Sequence, residues 1–261
     1  MIRRRELLGC SLLGITSALI AGCSAKTKGE AEPLKVAAAA DLAIAFKEMG
    51  EAFEKKLGTK VTFTFGSTGL LTKQIKEGAP FDVFAAANVK FIDDLIGEKA
   101  ITSDSKAIYG RGRIVVFTTT EVVKLEALAD SKYTKVAIAN PEHAPYGIAA
   151  QQALSKAGVW DTVKPRLVYG ENVQQTLQFV ESGNAEAAIV ALSLAIHAKG
   201  AYSEISEELH APLDQAMGVC EISKQKEKAR EFVAFVNSGE GRALMTRHGF
   251  LLPGEALTAK P

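Results

Sequence analysis

Short apolar runs alternate with amphipathic segments along most of this chain. The clearest runs cover residues 34–40, 81–87, 136–139 and 187–191. After the first run, Phe46, Met49 and Phe53 recur at three- and four-residue steps, which is typical of a helix with one buried face. Each run has the length of a buried strand. Strands that alternate with helices through short links predict an α/β fold with mostly parallel sheets.

The alternation restarts after about residue 118, which indicates two lobes. We predict that residues 34–112 and 216–261 form lobe 1 and that residues 113–215 form lobe 2. Each lobe should hold a mixed, mostly parallel sheet flanked by helices. The chain would then cross between the lobes twice, in a two-stranded hinge.

The first 33 residues are typical of an export signal and a linker. Arg3, Arg4 and Arg5 precede an apolar run that ends in small residues before Cys23. The five residues ending at Cys23 resemble the bacterial lipobox, which implies cleavage after residue 22 and a lipid on Cys23. Residues 1–22 are then a lipoprotein signal peptide, and polar residues 23–33 form a flexible tether. An ordinary signal peptide is the alternative, and the export route stays open.

Composition excludes several classes of protein. Hydrophobic residues make up 47% of the chain, which is too many for intrinsic disorder. The 31 Lys and Arg residues balance 30 Asp and Glu residues, so there is no basic excess for binding nucleic acid. Three cysteines in 261 residues do not make a disulfide scaffold. Cys220, in an apolar run, is expected to be buried and inert.

Five strand ends lead through small residues into a helix. They are Ala39-Ala40-Asp41, Gly66-Ser67-Thr68, Ala86-Ala87-Asn88, Pro145-Tyr146-Gly147 and Glu171-Asn172-Val173. A helix start carries unpaired N–H groups and a partial positive charge, so several of them converging on one spot can hold an oxyanion without Lys or Arg. The other interpretation is that these are ordinary helix starts, since Asp41, Ser67 and Asn172 are good capping residues.

Motifs of catalysis are missing. The four His residues do not have the spacing of a zinc site, and Gly66-Ser67-Thr68-Gly69 fits neither a nucleophile elbow nor a phosphate-binding loop. An exported hydrolase that uses Ser67 or Thr68 remains an alternative, and it requires a base such as His143 within hydrogen-bond reach. A binding protein for an organic carboxylate or peptide is a third possibility.

The same junctions carry a family resemblance. Residues 36–42, 74–84 and 140–147, with 247–250 near the end, resemble the solute-binding components of bacterial molybdate ABC transporters. The resemblance runs from about Leu34 to Pro253. It implies the two-lobed type II periplasmic binding protein fold, no enzymatic activity and no cofactor. It also implies a molybdate or tungstate ion held between the lobes by helix starts and hydroxyls.

The resemblance also implies which residues contact the ligand. Carried over by position, they are Asp41, Ser67, Thr68, Ala87, Tyr146, Val173 and Ala191. No free metal cation is implied, because molybdenum is bound as its oxyanion. The expected partners are this small oxyanion, a permease in the cytoplasmic membrane and the membrane itself through Cys23. The protein is expected to be a monomer that binds no nucleic acid, at the periplasmic or outer face of that membrane.

Two positions depart from the family pattern. Ala191 stands where a tyrosine hydroxyl is expected, with Ser193 nearby, and Asp41 stands where a hydroxyl is expected. A carboxylate repels a dianion, so we prefer the interpretation that Asp41 turns away and caps the helix after it. Alternatively Asp41 is protonated, accepts a proton from the ligand, or coordinates the metal. Another oxyanion, such as phosphate, phosphite, arsenate or sulfate, is therefore an alternative ligand.

Overall fold

The computed structural model describes residues 32–254. The predicted signal peptide, the lipidation site Cys23 and most of the predicted tether lie outside the described residues. Among the helices that are described, none combines the length and apolar character needed to cross a membrane.

Two five-stranded sheets organise the described residues. The strands are β1 (Leu34–Ala39), β2 (Val61–Gly66), β3 (Val83–Ala86), β4 (Ala107–Gly112), β5 (Ile114–Thr118), β6 (Val136–Ala139), β7 (Leu167–Gly170), β8 (Ala187–Ala191), β9 (Ala201–Glu204) and β10 (Leu213–Val219). The first sheet has the order β2-β1-β3-β10-β4, and the second has the order β7-β6-β8-β5-β9. In each sheet three neighbours are parallel, and β10 or β5 runs antiparallel to its neighbours. The predicted two-lobed α/β fold is confirmed.

Helices cover the sheets. They are α1 (Ala43–Leu57), α2 (Thr68–Lys76), α3 (Val89–Gly97), α4 (Pro145–Lys156), α5 (Trp160–Val163), α6 (Val173–Glu181), α7 (Leu192–Ala195), α8 (Lys226–Val236) and α9 (Gly239–Arg247). Helix α1 shows why the sequence folds this way. It buries Phe46, Met49 and Phe53 on one face, and it ends at Gly58, whose positive φ of 69° favours glycine.

The chain crosses between the sheets at two adjacent points. Arg113 joins β4 to β5, and residues 205–212 lead from β9 to β10. Gly112 pairs with Leu213 at the edge of the first sheet, so the crossings lie side by side. The predicted switch after residue 215 falls inside β10. The precise lobe boundaries stay a prediction.

Cys220 is a free thiol beyond the end of β10. It is fully buried, and this burial raises the pKa of the thiol to about 12. The thiol is therefore uncharged at physiological pH and shielded from reagents, as the sequence predicts.

Candidate functional site

The ends of several strands meet at one small cavity between the two sheets. Six of the seven predicted ligand-binding residues line it: Asp41, Ser67, Thr68, Ala87, Tyr146 and Val173. Its empty volume is about 210 Å³. Among the described residues that form its wall there is no Lys, Arg or His. Any anion held here must therefore rely on neutral donors and on the partial charge of helix starts.

Sheet topology explains why these residues converge. β1, β2 and β3 are parallel neighbours, so their carboxyl ends lie along one edge of the first sheet. β6 and β7 are also parallel neighbours, so their carboxyl ends lie along one edge of the second sheet. Ligands of open α/β sheets bind beyond the carboxyl ends of the strands, and each of these five strands is followed by residues of the cavity wall.

Two helix starts on the second sheet present N–H groups to the cavity. The Asn172 side chain accepts hydrogen bonds from the N–H groups of Gln174 and Gln175, both at 3.0 Å, and so satisfies the second and third donors of α6. The Val173 N–H belongs to the first helical position and has no partner within the helix. Helix α4 opens with Pro145, which has no N–H, so the Tyr146 N–H is its first donor.

The residues that follow the strands of the first sheet contribute the Thr68 hydroxyl to the cavity. Thr68 is the first residue of α2 and is 1% exposed. The Ala87 N–H donates to its Oγ1 at 3.1 Å, so Ala87 contacts Thr68 in this structure. No described group accepts the Thr68 hydroxyl hydrogen, which remains available as a donor. Ala87 can thus act through Thr68 in this structure, because its single N–H is engaged there, and the direct backbone contact stays a prediction.

Ser67 joins the two lobes through His143. Its Oγ lies 2.7 Å from the His143 carbonyl oxygen and 2.8 Å from His143 Nδ1. Since a carbonyl only accepts, the hydroxyl hydrogen goes to the carbonyl and Nδ1 must donate to Oγ. This hydrogen-bond assignment places a hydrogen on Nδ1. The histidine that the hydrolase alternative requires is therefore within reach, but it donates to the serine where a general base would have to accept.

Asp41 lies at the inner wall of the cavity and is 1% exposed. Its Oδ2 accepts hydrogen bonds from the Tyr146 hydroxyl at 2.9 Å and from Gln215 Nε2 at 2.8 Å. Burial raises the pKa of Asp41 to about 6, although these two hydrogen bonds act in the opposite direction. Its Oδ1 is buried without a hydrogen-bond partner among the described residues.

The preferred expectation for Asp41 was wrong. Residues Ala40–Leu42 form a 3-10 turn, α1 begins only at Ala43, and neither helix start has a side-chain cap. The carboxyl group reaches Tyr146 and Gln215, which are 105 and 174 residues away along the chain. Because both are hydrogen-bond donors to Oδ2, they hold the carboxyl group at the cavity wall and not over the backbone of α1.

Ala191, the seventh predicted residue, does not line the cavity. It ends β8 and is fully buried. Ser193, which was considered as its substitute, donates to the backbone oxygen of Asp41 at 2.8 Å. The Ser193 hydroxyl thus holds α7 against the segment that carries Asp41.

Comparison with known proteins decides the family. A family model described as bacterial extracellular solute-binding protein matches residues 34–251. The chain belongs to this family. Among its relatives, "Molybdate-binding protein ModA" of Rhodobacter capsulatus is 31% identical, and the alignment covers 82% of this chain and 86% of the relative. "Putative ABC transporter substrate-binding lipoprotein YvgL" of Bacillus subtilis is 31% identical over 89% of this chain and 93% of its own.

A solved structure agrees with this result. The periplasmic molybdate-binding protein of Azotobacter vinelandii superimposes with a TM-score of 0.80, at 27% identity over 84% of this chain and 99% of its own. The resemblance of the sequence to solute-binding components of molybdate transporters is thereby confirmed. Family membership makes this chain an extracellular solute-binding protein, so the site is one for binding a solute.

The structure of this solute-binding protein is that of a closed cleft. The Gly69 N–H on α2 donates to the His143 carbonyl at 2.9 Å, across the cleft. The Tyr146 hydroxyl from α4 reaches Asp41, and Ser193 reaches the Asp41 backbone. These contacts join residues of both lobes around the cavity.

Sequence reasoning missed Gln215 and Tyr109 in this solute-binding protein. Gln215 is fully buried in β10; its Nε2 donates to Asp41, and its Oε1 accepts from the Tyr109 hydroxyl at 2.7 Å. The available signal was a single amide among the buried residues of β10, which are otherwise apolar, because a buried polar side chain requires partners. Its partners Tyr109, Asp41 and Tyr146 lie on β4, beyond β1 and on α4, which one sequence does not reveal.

Proposed function

We propose that the protein captures molybdate between its two lobes and delivers it to the permease of an ABC importer. The observation that carries this proposal is the small cavity between the lobes, whose described wall combines the helix starts of α4 and α6 with the Thr68 hydroxyl and contains no basic side chain. Neutral donors from both lobes suit a small tetrahedral dianion. Relatives that carry the name of molybdate-binding proteins support this choice of ligand.

The size of the cavity favours an oxyanion over an organic ligand. Its empty volume is about 210 Å³ even when the open solvent at its mouth is included, so the enclosed space is well below the roughly 300–1,000 Å³ of pockets for drug-sized molecules. Tyr146 is the aromatic side chain in the described wall, and its hydroxyl is engaged with Asp41. A peptide or an extended carboxylate would need a longer and more apolar groove. Tungstate, which has nearly the same size and shape as molybdate, is proposed as an equivalent ligand.

No covalent chemistry is proposed at this site. The orientation of the Ser67 and His143 hydrogen bonds argues against an activated serine nucleophile. Closure of the lobes has the function of bringing donors from both sides to the ligand, and the closed form is the one that should dock on the permease.

We further propose that the protein works as a monomer held at the membrane by a lipid on Cys23. The small residues that precede this cysteine support lipidation, and so does the similarity to the Bacillus subtilis relative, which is named a lipoprotein. Metabolic labelling with a fatty acid, compared between the natural chain and Cys23→Ala, tests the anchor. If the Cys23→Ala variant is still labelled by the fatty acid, lipid attachment at Cys23 is contradicted.

Titration calorimetry of the purified mature protein with a panel of oxyanions tests the ligand. Molybdate and tungstate should bind tightly, and sulfate and phosphate much more weakly. If neither molybdate nor tungstate binds while another oxyanion does, the proposed ligand is wrong and the solute-binding fold still stands.

Thr68→Ala should weaken molybdate binding by about 1–3 kcal/mol, because it removes a hydroxyl donor to a charged ligand. Calorimetry at constant pH measures this change. Thr68→Ser is the matched control, since it keeps the hydroxyl that faces the cavity and accepts from Ala87. Equal loss in both variants would mean that the threonine methyl group is what matters, and unchanged affinity in both would place the anion elsewhere.

A further inference from the structure

The two oxygens of the Asp41 carboxyl group have different surroundings. Oδ2 is held by Tyr146 and Gln215, whereas Oδ1 is buried and has no hydrogen-bond partner among the described residues. Because Asp41 lines the cavity, Oδ1 is the atom that remains for a ligand. Burying a polar atom without a hydrogen-bond partner costs free energy, so a partner for this oxygen is expected when the ligand is bound.

Direct contact between a charged Oδ1 and an oxyanion is unfavourable. Both groups are acceptors, and two negative charges repel each other more strongly in a buried site than in water. The described wall offers no Lys, Arg or His to offset this repulsion. A single hydrogen between the two oxygens removes both problems, because it neutralises the carboxyl group and turns Oδ1 into a donor.

We propose that Asp41 binds the anion through one shared proton, with Oδ1–H donating to an oxygen of the ligand. This inference rests on the proposed function and specifies its ligand as an oxyanion taken up together with a proton. An anion without a proton of its own, such as molybdate, draws this proton from solution. An anion that already carries one can supply it directly.

The surroundings of Asp41 agree with this assignment. Burial already raises the pKa of Asp41 to about 6, and a dianion beside Oδ1 raises this pKa further. Tyr146 and Tyr109 face the same carboxyl group from α4 and β4, and burial raises the pKa of each phenol well above its usual range, so both stay neutral. Among the described residues, His143 also approaches the wall, where its side chain contacts Ser67.

Calorimetry of molybdate binding in buffers of different ionisation enthalpy tests the proposal. At pH 7.5 we expect uptake of close to one proton per anion. Affinity should fall as the pH rises from 7 to 9, by up to tenfold per pH unit, because a neutral Asp41 becomes harder to form. Below about pH 6 this dependence should fade, since Asp41 is then already protonated in the free protein.

Asp41→Asn is the decisive variant. Tyr146 and Gln215 both donate to the Oδ2 position, so the amide oxygen should take that place and the amide nitrogen should face the ligand. The variant then imitates the protonated acid permanently. We expect it to bind molybdate without proton uptake, with an affinity independent of pH and at least tenfold above that of the natural protein at pH 9.

Two control variants separate this effect from others. Asp94→Asn makes the same change of charge on the exposed face of α3, where Asp94 pairs with Lys90. His143→Gln removes the histidine near the wall. Both should keep the proton uptake of the natural protein. If uptake disappears in His143→Gln, the proton belongs to the histidine and the proposal is wrong.

The outcomes for the two proposals are distinguishable. If the natural protein binds molybdate with no proton uptake and with constant affinity from pH 6 to 9, the shared proton is excluded and molybdate capture stands. If it binds no molybdate at any pH, the proposed function itself fails. Far-UV circular dichroism shows whether Asp41→Asn folds. If this variant does not fold, the proton uptake of the natural protein, measured in buffers of different ionisation enthalpy, decides whether the proton is shared.

Discussion

Replacing Gly69 by alanine is expected to weaken molybdate binding by at least tenfold, although Gly69 contacts no proposed ligand. An added Cβ would lie 2.7 Å from the His143 carbonyl oxygen and 2.9 Å from its Cβ, on the opposite side of the cleft. At these distances the lobes must stay further apart, and the Gly69 N–H bond to His143 is lost. Tenfold corresponds to about 1.4 kcal/mol. Calorimetry gives the affinity, and small-angle scattering with saturating molybdate shows whether the variant remains more open.

Gly97→Ala is the matched control for this experiment. Gly97 ends α3 at a position where an added Cβ meets no atom within 4 Å. The affinity of the Gly97→Ala variant for molybdate should equal that of the natural protein. If Gly69→Ala also binds normally, the bound form does not close through the contact between Gly69 and His143, and that contact has no part in holding the ligand.

Phe46→Ala should lower the free energy of unfolding by about 3–5 kcal/mol, the usual cost of removing a buried ring. Phe46 is fully buried in α1, and its ring centre lies 5.9 Å from those of Phe63 and Phe232 and 6.0 Å from that of Tyr109. These neighbours come from β2, α8 and β4, so the ring joins three elements of the first lobe. Urea denaturation followed by circular dichroism measures the change.

Leu57→Ala on the same helix controls for side-chain truncation. Leu57 is 47% exposed, so its loss should change the free energy of unfolding by no more than about 0.5 kcal/mol. A loss below 1 kcal/mol for Phe46→Ala would contradict the close packing of the aromatic cluster around α1.

Much of the fold follows from local patterns. The apolar run at residues 34–40 contains β1 (Leu34–Ala39), and the spacing of Phe46, Met49 and Phe53 marks the buried face of α1. Burial imposes these patterns residue by residue, so one sequence is enough to detect them. The convergence of strand ends also follows, because parallel strands share an edge for their carboxyl ends. Six of the seven predicted site residues meet there for that reason.

Side-chain partners were harder to predict. Local capping rules favour Asp41 as the cap of α1, because they consider only the residues next to it. The partners that decide its orientation, Tyr146 and Gln215, come from the other lobe and from the far end of the chain. Ser67 is similar. Its hydroxyl suits an anion when considered alone, whereas in the closed cleft the His143 backbone accepts its hydrogen.

Gly112 gives the opening motion a definite geometry. A Cβ there would lie 2.1 Å from the Tyr146 hydroxyl and 2.7 Å from Gln215 Nε2, so the first crossing strand touches the back of the cavity. When two lobes rotate apart, the atoms next to the rotation axis move least. The hydrogen bond between Tyr146 and Asp41 should therefore be among the last interlobe contacts to lengthen. The Asp41 carboxyl group should then stay enclosed when the lobes begin to part, and we expect the anion to leave before the proton proposed for Asp41.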